Sequence, residues 1–215
     1  MTRPFAGVIF DLDGTLVDSL DDIGLAMNAA LARFGLPPHP MARYREMVGE
    51  GAAVLARRAS GGEAASDVDA LTAAYAEEYE ARAHGRTTLY PGVAEMLARL
   101  VGDGVAMAVL SNKPDGFTRG LIDVRFPDVP FRAVRGQRDG VPRKPDPAAA
   151  LEIAALMGLE PAVIAFVGDT AVDIETARAA GMIAVGVEWG FRGRDELIGA
   201  GAQHVLRHPS DLLRI

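Results

Sequence analysis

Val8-Ile9-Phe10-Asp11-Leu12-Asp13-Gly14-Thr15 decides how the rest of the chain is read. Its first three residues are apolar, as in a strand buried on both faces of a parallel sheet. The run then turns polar at once, with two carboxylates two residues apart and a glycine behind them. Alternate residues at a strand end lean to one side, so Asp11 and Asp13 can share a small site. Two carboxylates held there repel, which drives their proton affinities apart. One can stay ionised and attack phosphorus while the other holds a proton for a leaving oxygen. Gly14 lets the backbone turn sharply and present its amides, a cradle suited to phosphate.

The same pattern recurs downstream. Val105 to Leu110 runs into Ser111-Asn112-Lys113, and Val163 to Val167 runs into Gly168-Asp169-Thr170. Ile183 to Val187 reads as a further strand and Phe131 to Val134 as a short one. Between them lie helical patterns at Glu95 to Val101, at Pro147 to Met157 before Gly158, and at Ala171 to Ala180 before Gly181. Alternation of this kind predicts an α/β fold, a doubly wound, Rossmann-like parallel sheet. Such sheets bind ligands beyond the carboxyl ends of their strands, where all three polar clusters fall. Asp169 and Asp173 open a helix, and their four-residue step predicts one shared face. Carboxylates converging from two strand ends are hard oxygen ligands that suit Mg²⁺. The ion would offset repulsion between an anionic nucleophile and an anionic substrate. Ser111 offers a hydroxyl to phosphate, with the Asn112 backbone amide beside it.

Residues 20–85 interrupt the alternation with an alanine-rich stretch that reads as helix throughout. Helices are expected over Leu20 to Phe34, Met41 to Val48 and Ala52 to Ala59, with Asp67 capping another that carries Val68, Leu71, Tyr75 and Tyr79. The expected organisation is a catalytic core of residues 1–19 and 86–215 with an all-helical cap of residues 20–85 inserted after the first strand. The competing reading is an elaborate crossover packed on the sheet. Gly49 to Ala52 forms a flexible turn opening a helix, whose free amides favour an anion, so Gly49 and Gly51 are candidate substrate-binding positions.

Composition narrows the classes. The chain has 215 residues, a net charge of −7, no cysteine and no apolar stretch near the length of a membrane span. Thiol chemistry and disulfides are therefore excluded, and neither a broad nucleic-acid surface nor a membrane is expected as partner. Residues 1–7 lack a secretory signal pattern, which with the missing cysteines suits a cytoplasmic protein. The basic run Arg132, Arg135, Arg138, Arg143, Lys144 is either a solvated loop or a positive wall beside a small anion. Arg57 and Arg58 read as a solvated helix face, Glu77, Glu78 and Glu80 likewise, and Trp189 as packing. His39, His84, His204 and His208 show no ligand spacing and read as surface residues. Twenty of the 22 basic residues are arginine; the lysines are Lys113 and Lys144. A compact ammonium on a flexible stem is thus singled out at two places. Lys144 fits a fixed cation for phosphate; the role of Lys113 stays open.

Phe10 to Ser19, Ser111-Asn112-Lys113-Pro114, Arg143-Lys144-Pro145-Asp146-Pro147 and Val167-Gly168-Asp169-Thr170-Ala171-Val172-Asp173 together resemble the four motifs of the haloacid dehalogenase superfamily. The resemblance implies Asp11 as nucleophile and Mg²⁺ ligand, and Asp13 as acid/base with its backbone carbonyl on the metal. It implies Ser111 and Lys144 on phosphate, Asp169 on the metal, Asp173 as an outer-shell group and Thr15 as support for the first loop. Asp13 sets the chain apart from the dehalogenases, which lack the second aspartate, and a cap without lysine sets it apart from the phosphonate hydrolases. Leu36-Pro37-Pro38, Val48-Gly49-Glu50-Gly51 and Gly186 to Phe191 resemble phosphoglycolate phosphatases. That implies a small phosphorylated metabolite as partner and a monomer or homodimer. A broader small-molecule phosphatase or pyrophosphatase, a sugar phosphomutase and a non-catalytic binder are the alternatives.

Overall fold

A computed structural model describes residues 4–62, 67–82 and 85–215 of the chain. Its sheet is built from β1 (Gly7–Phe10), β4 (Ala106–Pro114), β5 (Ala133–Gln137), β6 (Ile164–Gly168), β7 (Ile183–Val187) and β8 (His204–Leu206). The order is β5-β4-β1-β6-β7-β8, and every neighbouring pair is parallel. Side chains alternate across a strand, and β1 divides accordingly. Val8 and Phe10 join the core beneath helices α5 (Val93–Gly102) and α6 (Asp115–Arg125), packing with Leu97, Leu100 and Leu121. Ile9 joins the opposite core beneath α7 (Ala148–Met157), α8 (Ala171–Ala179) and α9 (Arg194–Ala200), with Ile153, Ala177 and Leu197.

From β1 the chain steps to β4 and β5, returns past β1 to β6, and then moves outward to β7 and β8. The reversal falls at β1, so the carboxyl ends of β1, β4 and β6 border one crevice. The doubly wound expectation holds, with local corrections. Ser111-Asn112-Lys113 lies within the end of β4 rather than beyond it, because β4 continues across an irregularity to pair Pro114 with Gln137 of β5. The short strand expected at 131–134 is shifted to Ala133–Gln137. Strand β8 and helices α6 and α9 add elements that the apolar runs did not signal.

Between β1 and β4 the chain leaves and re-enters the core through a two-stranded antiparallel ribbon, β2 (Val17–Asp18) against β3 (Thr88–Leu89). Helices α1 (Leu20–Arg33), α2 (Met41–Met47), α3 (Ala52–Ala59) and α4 (Val68–Ala81) lie between these strands. They bury a core of their own around Met27, Leu31, Tyr44, Leu55, Leu71 and Tyr79. Asp67 opens α4 as expected, its carboxylate accepting from the Ala70 amide at 2.9 Å. Asp22, in the first turn of α1, is buried and ties the two crossings together: its carboxylate accepts from the amides of Arg86 and Thr87 and from the Thr87 hydroxyl, the last two at 2.7 Å. His39 corrects its surface reading. It is half-buried, with Nε2 2.7 Å from the Ala59 carbonyl oxygen and its ring edge-on to Tyr44. His84 lies outside the described residues. Among the described residues no helix is long and apolar enough to cross a membrane.

Candidate active site

Asp11 is the first residue past β1, its amide donating to the Val167 carbonyl of β6 at 2.8 Å. The side chain is buried, and so is Lys144, whose Nζ reaches Asp11 Oδ1 at 2.7 Å and Asp173 Oδ1 at 2.6 Å. Carboxylate oxygens of Asp11, Asp169 and Asp173 all lie within 4.8 Å of one another. Three buried carboxylates thus face a single ammonium. Burial pushes the Asp11 carboxyl up to about 7, and Asp173 adds to the rise although Lys144 opposes it. Burial, Asp173 and Asp11 likewise hold Asp169 well above the ordinary carboxylate range. Burial works against charge on Lys144 too, but Asp11 and Asp173 outweigh it and keep the ammonium protonated.

Asp169 is 0% exposed. It accepts the Phe191 amide at 2.7 Å and a long bond from Thr15 Oγ1 at 3.4 Å, with no basic partner among the described residues. Its placement depends on two glycines. Gly14 has φ +88°, and a Cβ there would fall 2.3 Å from Asp169 Oδ2; one on Gly190 would fall 2.3 Å from Asp169 Cβ. The expectation of one helical face for Asp169 and Asp173 is corrected. Asp169 precedes α8, in the turn after β6, and only Asp173 lies in the first helical turn. There it forms a capping box, Asp173 Oδ2 accepting from the amide and hydroxyl of Thr170 at 3.1 and 2.8 Å. The two carboxylates converge because the turn folds back.

A hard divalent cation fits this donor set. Both oxygens of Asp173 are taken up by short bonds, whereas Asp11 is bonded through Oδ1 and Asp169 Oδ1 meets only the long Thr15 contact, which leaves acceptor capacity in an anionic, buried pocket. Asp13 is turned elsewhere. Its Oδ1 accepts the Ser19 hydroxyl at 2.5 Å, and both its oxygens lie 3.0 Å from Lys113 Nζ.

A cavity beside these groups is lined by Asp11, Asp13, Ser111, Asn112 and Lys113 from the sheet, and by Ile23, Val48, Gly49, Gly51, Ala52, Leu55 and Tyr75 from the helical insert. Gly49 and Gly51 therefore meet the same space as the carboxylates. The Asn112 side chain does work that motif reading missed. Its Oδ1 accepts the Lys144 amide at 2.9 Å, and its Nδ2 donates to the carbonyls of Lys144 and Gly49 at 3.1 and 3.0 Å. Trp189 packs as expected, Nε1 donating to the Thr15 carbonyl at 2.9 Å. The basic run does not form a wall: Arg135 and Arg138 pair with Glu152, and Arg143 donates to the Glu50 carbonyl. Arg57 is exposed, and the exposed Arg58 pairs with Glu50. Ser19, Tyr79 and the Phe191 amide were not singled out; only a fold reveals that they touch the site.

Residues 8–187 match the family model described as haloacid dehalogenase-like hydrolase. Among relatives, phosphoglycolate phosphatase 1 of Pseudomonas aeruginosa is 38% identical over 212 residues, covering 96% of this chain and 78% of its own. A phosphoglycolate phosphatase of Pseudomonas putida is 40% identical over 189 residues, covering 86% of this chain and 70% of its own. A crystal structure described as "a predicted phosphoglycolate phosphatase" from Haemophilus somnus superposes with a TM-score of 0.91 at 30% identity, covering 100% of this chain and 99% of that one.

Proposed function

The chain belongs to the haloacid dehalogenase-like hydrolases and is a phosphatase, and from that premise we propose that it is a Mg²⁺-dependent 2-phosphoglycolate phosphatase working through an aspartyl-phosphate on Asp11. The observation that carries this reading is the imbalance at the end of β1, where three mutually close, buried carboxylates share one ammonium and one of them opens onto a cavity.

In the proposed reaction an Asp11 oxygen attacks phosphorus. The P–O ester bond breaks, its electron pair goes to the leaving oxygen, and Asp13 supplies the proton that completes the alcohol. Water then attacks the aspartyl-phosphate, Asp13 takes up its proton, and phosphate leaves with Asp11 restored. Lys144 orients Asp11 and, with Ser111 and the Asn112 amide, holds the phosphoryl oxygens; Thr15 steadies the loop and Asp169. Mg²⁺, held by Asp11, Asp169 and the Asp13 backbone with Asp173 behind them, would supply neutralising charge for the transferring group. Residues 20–85 serve as a cap over the core of 1–19 and 86–215. The turn at Gly49 and Gly51 meets the substrate's carboxylate. The names of the relatives support phosphoglycolate as substrate.

Steady-state phosphate release tests both levels. We expect kcat/KM for 2-phosphoglycolate to exceed that for p-nitrophenyl phosphate, pyrophosphate and nucleotides, and turnover to vanish with EDTA and return with Mg²⁺. Comparable kcat/KM across all four would end the substrate assignment, and full turnover in EDTA would end the metal assignment.

A further inference from the structure

We propose that Lys113 is a positioning residue that is itself anchored on Tyr79 of helix α4 and holds the Asp13 carboxyl for proton transfer, so that docking of the helical insert and alignment of the acid are one event. The proposal rests on the reading of Asp13 as the acid.

Lys113 cannot duplicate Lys144. Its Nζ sits 3.0 Å from both oxygens of Asp13, and the ammonium on Asp11 is that of Lys144. On its other side Nζ lies 4.4 Å from the centroid of the Tyr79 ring, close enough for a cation–π contact. Tyr79 is buried, and its ring packs 5.1 Å from that of Phe117 on α6 and 5.8 Å from that of Tyr75 on α4. The contacts therefore run from the insert, through Tyr79 and Lys113, to Asp13. Ser19, which enters the insert, closes the arrangement from below through its bond to Asp13 Oδ1. Asp13 Oδ1 thus carries two donors and Oδ2 one, which leaves Oδ2 the freer oxygen to meet a leaving group. A small ammonium suits this place better than a guanidinium, because one point charge must face a carboxylate and an aromatic ring together.

Leaving-group dependence separates positioning of an acid from general support of the fold. p-Nitrophenolate departs with little help from a proton, whereas an alkoxide needs one, and kcat/KM reports only the steps through cleavage of the ester. Lys113→Met is expected to lower kcat/KM for an alkyl ester such as 2-phosphoglycolate by about 10²-fold, and for p-nitrophenyl phosphate by under about 10-fold. Tyr79→Leu, which keeps the Lys113–Asp13 pair, is expected to shift the same ratio by about 3–10-fold, and it decides the matter if Lys113→Met does not fold. Equal losses on both esters in these variants overturn the inference. Asp13→Asn is the reference: if it shows the leaving-group dependence and the other two do not, the inference alone falls. If Asp13→Asn slows both esters alike, the acid assignment falls and takes the inference with it.

Discussion

Lys144 and Lys113 are both buried at the rim of one sheet, but the carboxylates around them differ in number. Lys144 bonds two and sits beside a third, Asp169, so the cluster carries excess negative charge. Lys113 meets Asp13 alone, and that pair is balanced. An unbalanced buried cluster needs a further cation to be at ease, whereas a balanced pair can hold a geometry without one. The Lys144 cluster also lies wholly within the α/β core, while the Lys113 pair leans on Tyr79 of the helical insert. The contrast is what supports the proposed division, charge chemistry for one lysine and alignment for the other.

The sharpest way to break this contrast is at Asp11. Asp11→Asn is expected to lower phosphate release on the order of 10⁴-fold or more, the scale seen when a nucleophile is removed. Calorimetry should show 2-phosphoglycolate still binding in Mg²⁺; turnover near the parent rate would mean that the covalent route is absent.

Next in size is the stability of the two lysine sites. Removing one partner of a buried pair typically costs about 3–5 kcal/mol. Lys144→Met strands two carboxylates with side chains only 9% and 1% exposed and should reach that range or pass it. Lys113→Met strands Asp13, which is 15% exposed and keeps its bond from Ser19, and should fall at or below the range. Urea unfolding without metal ranks them, and the reverse order would refute the charge comparison.

The subtlest effect lies in pH. Asp11 rises from 3.8 to about 7 on folding without metal, so between those values the native state holds more protons than the unfolded one. Stability in EDTA therefore falls as pH rises through that window. Mg²⁺ bound as proposed would relieve the repulsion that appears as the carboxylates ionise, so the Tm gap between Mg²⁺ and EDTA should widen from about pH 5 to about pH 8. A gap that is constant or shrinks over this range would place the charge imbalance elsewhere.

How much of this could be read in advance follows from the reach of each interaction. Apolar runs ending in polar clusters carry their own signal, so β1, β6 and β7 and the residues just past them were placed closely. The helices of the insert were also recognisable, because the Gly49–Gly51 turn and the Asp67 cap mark helix ends. Long-range pairings leave no such mark. Asp22 looks like any acidic residue in a first helical turn beside Asp21, yet it bonds to Arg86 and Thr87. Tyr79 looks like one more apolar stripe residue, yet it supports Lys113. Gly190 shows no local need to be glycine until Asp169 is seen against it.

The ribbon of β2 and β3, locked by Asp22, makes the helical segment a closed loop hung from a single stalk. Its two attachment points are neighbours, so a different set of helices with equally close ends could be grafted there while the sheet beneath stays intact. On the proposal that the segment is a cap, exchange at that one stalk would change the molecule admitted to the strand ends and leave their chemistry as it is.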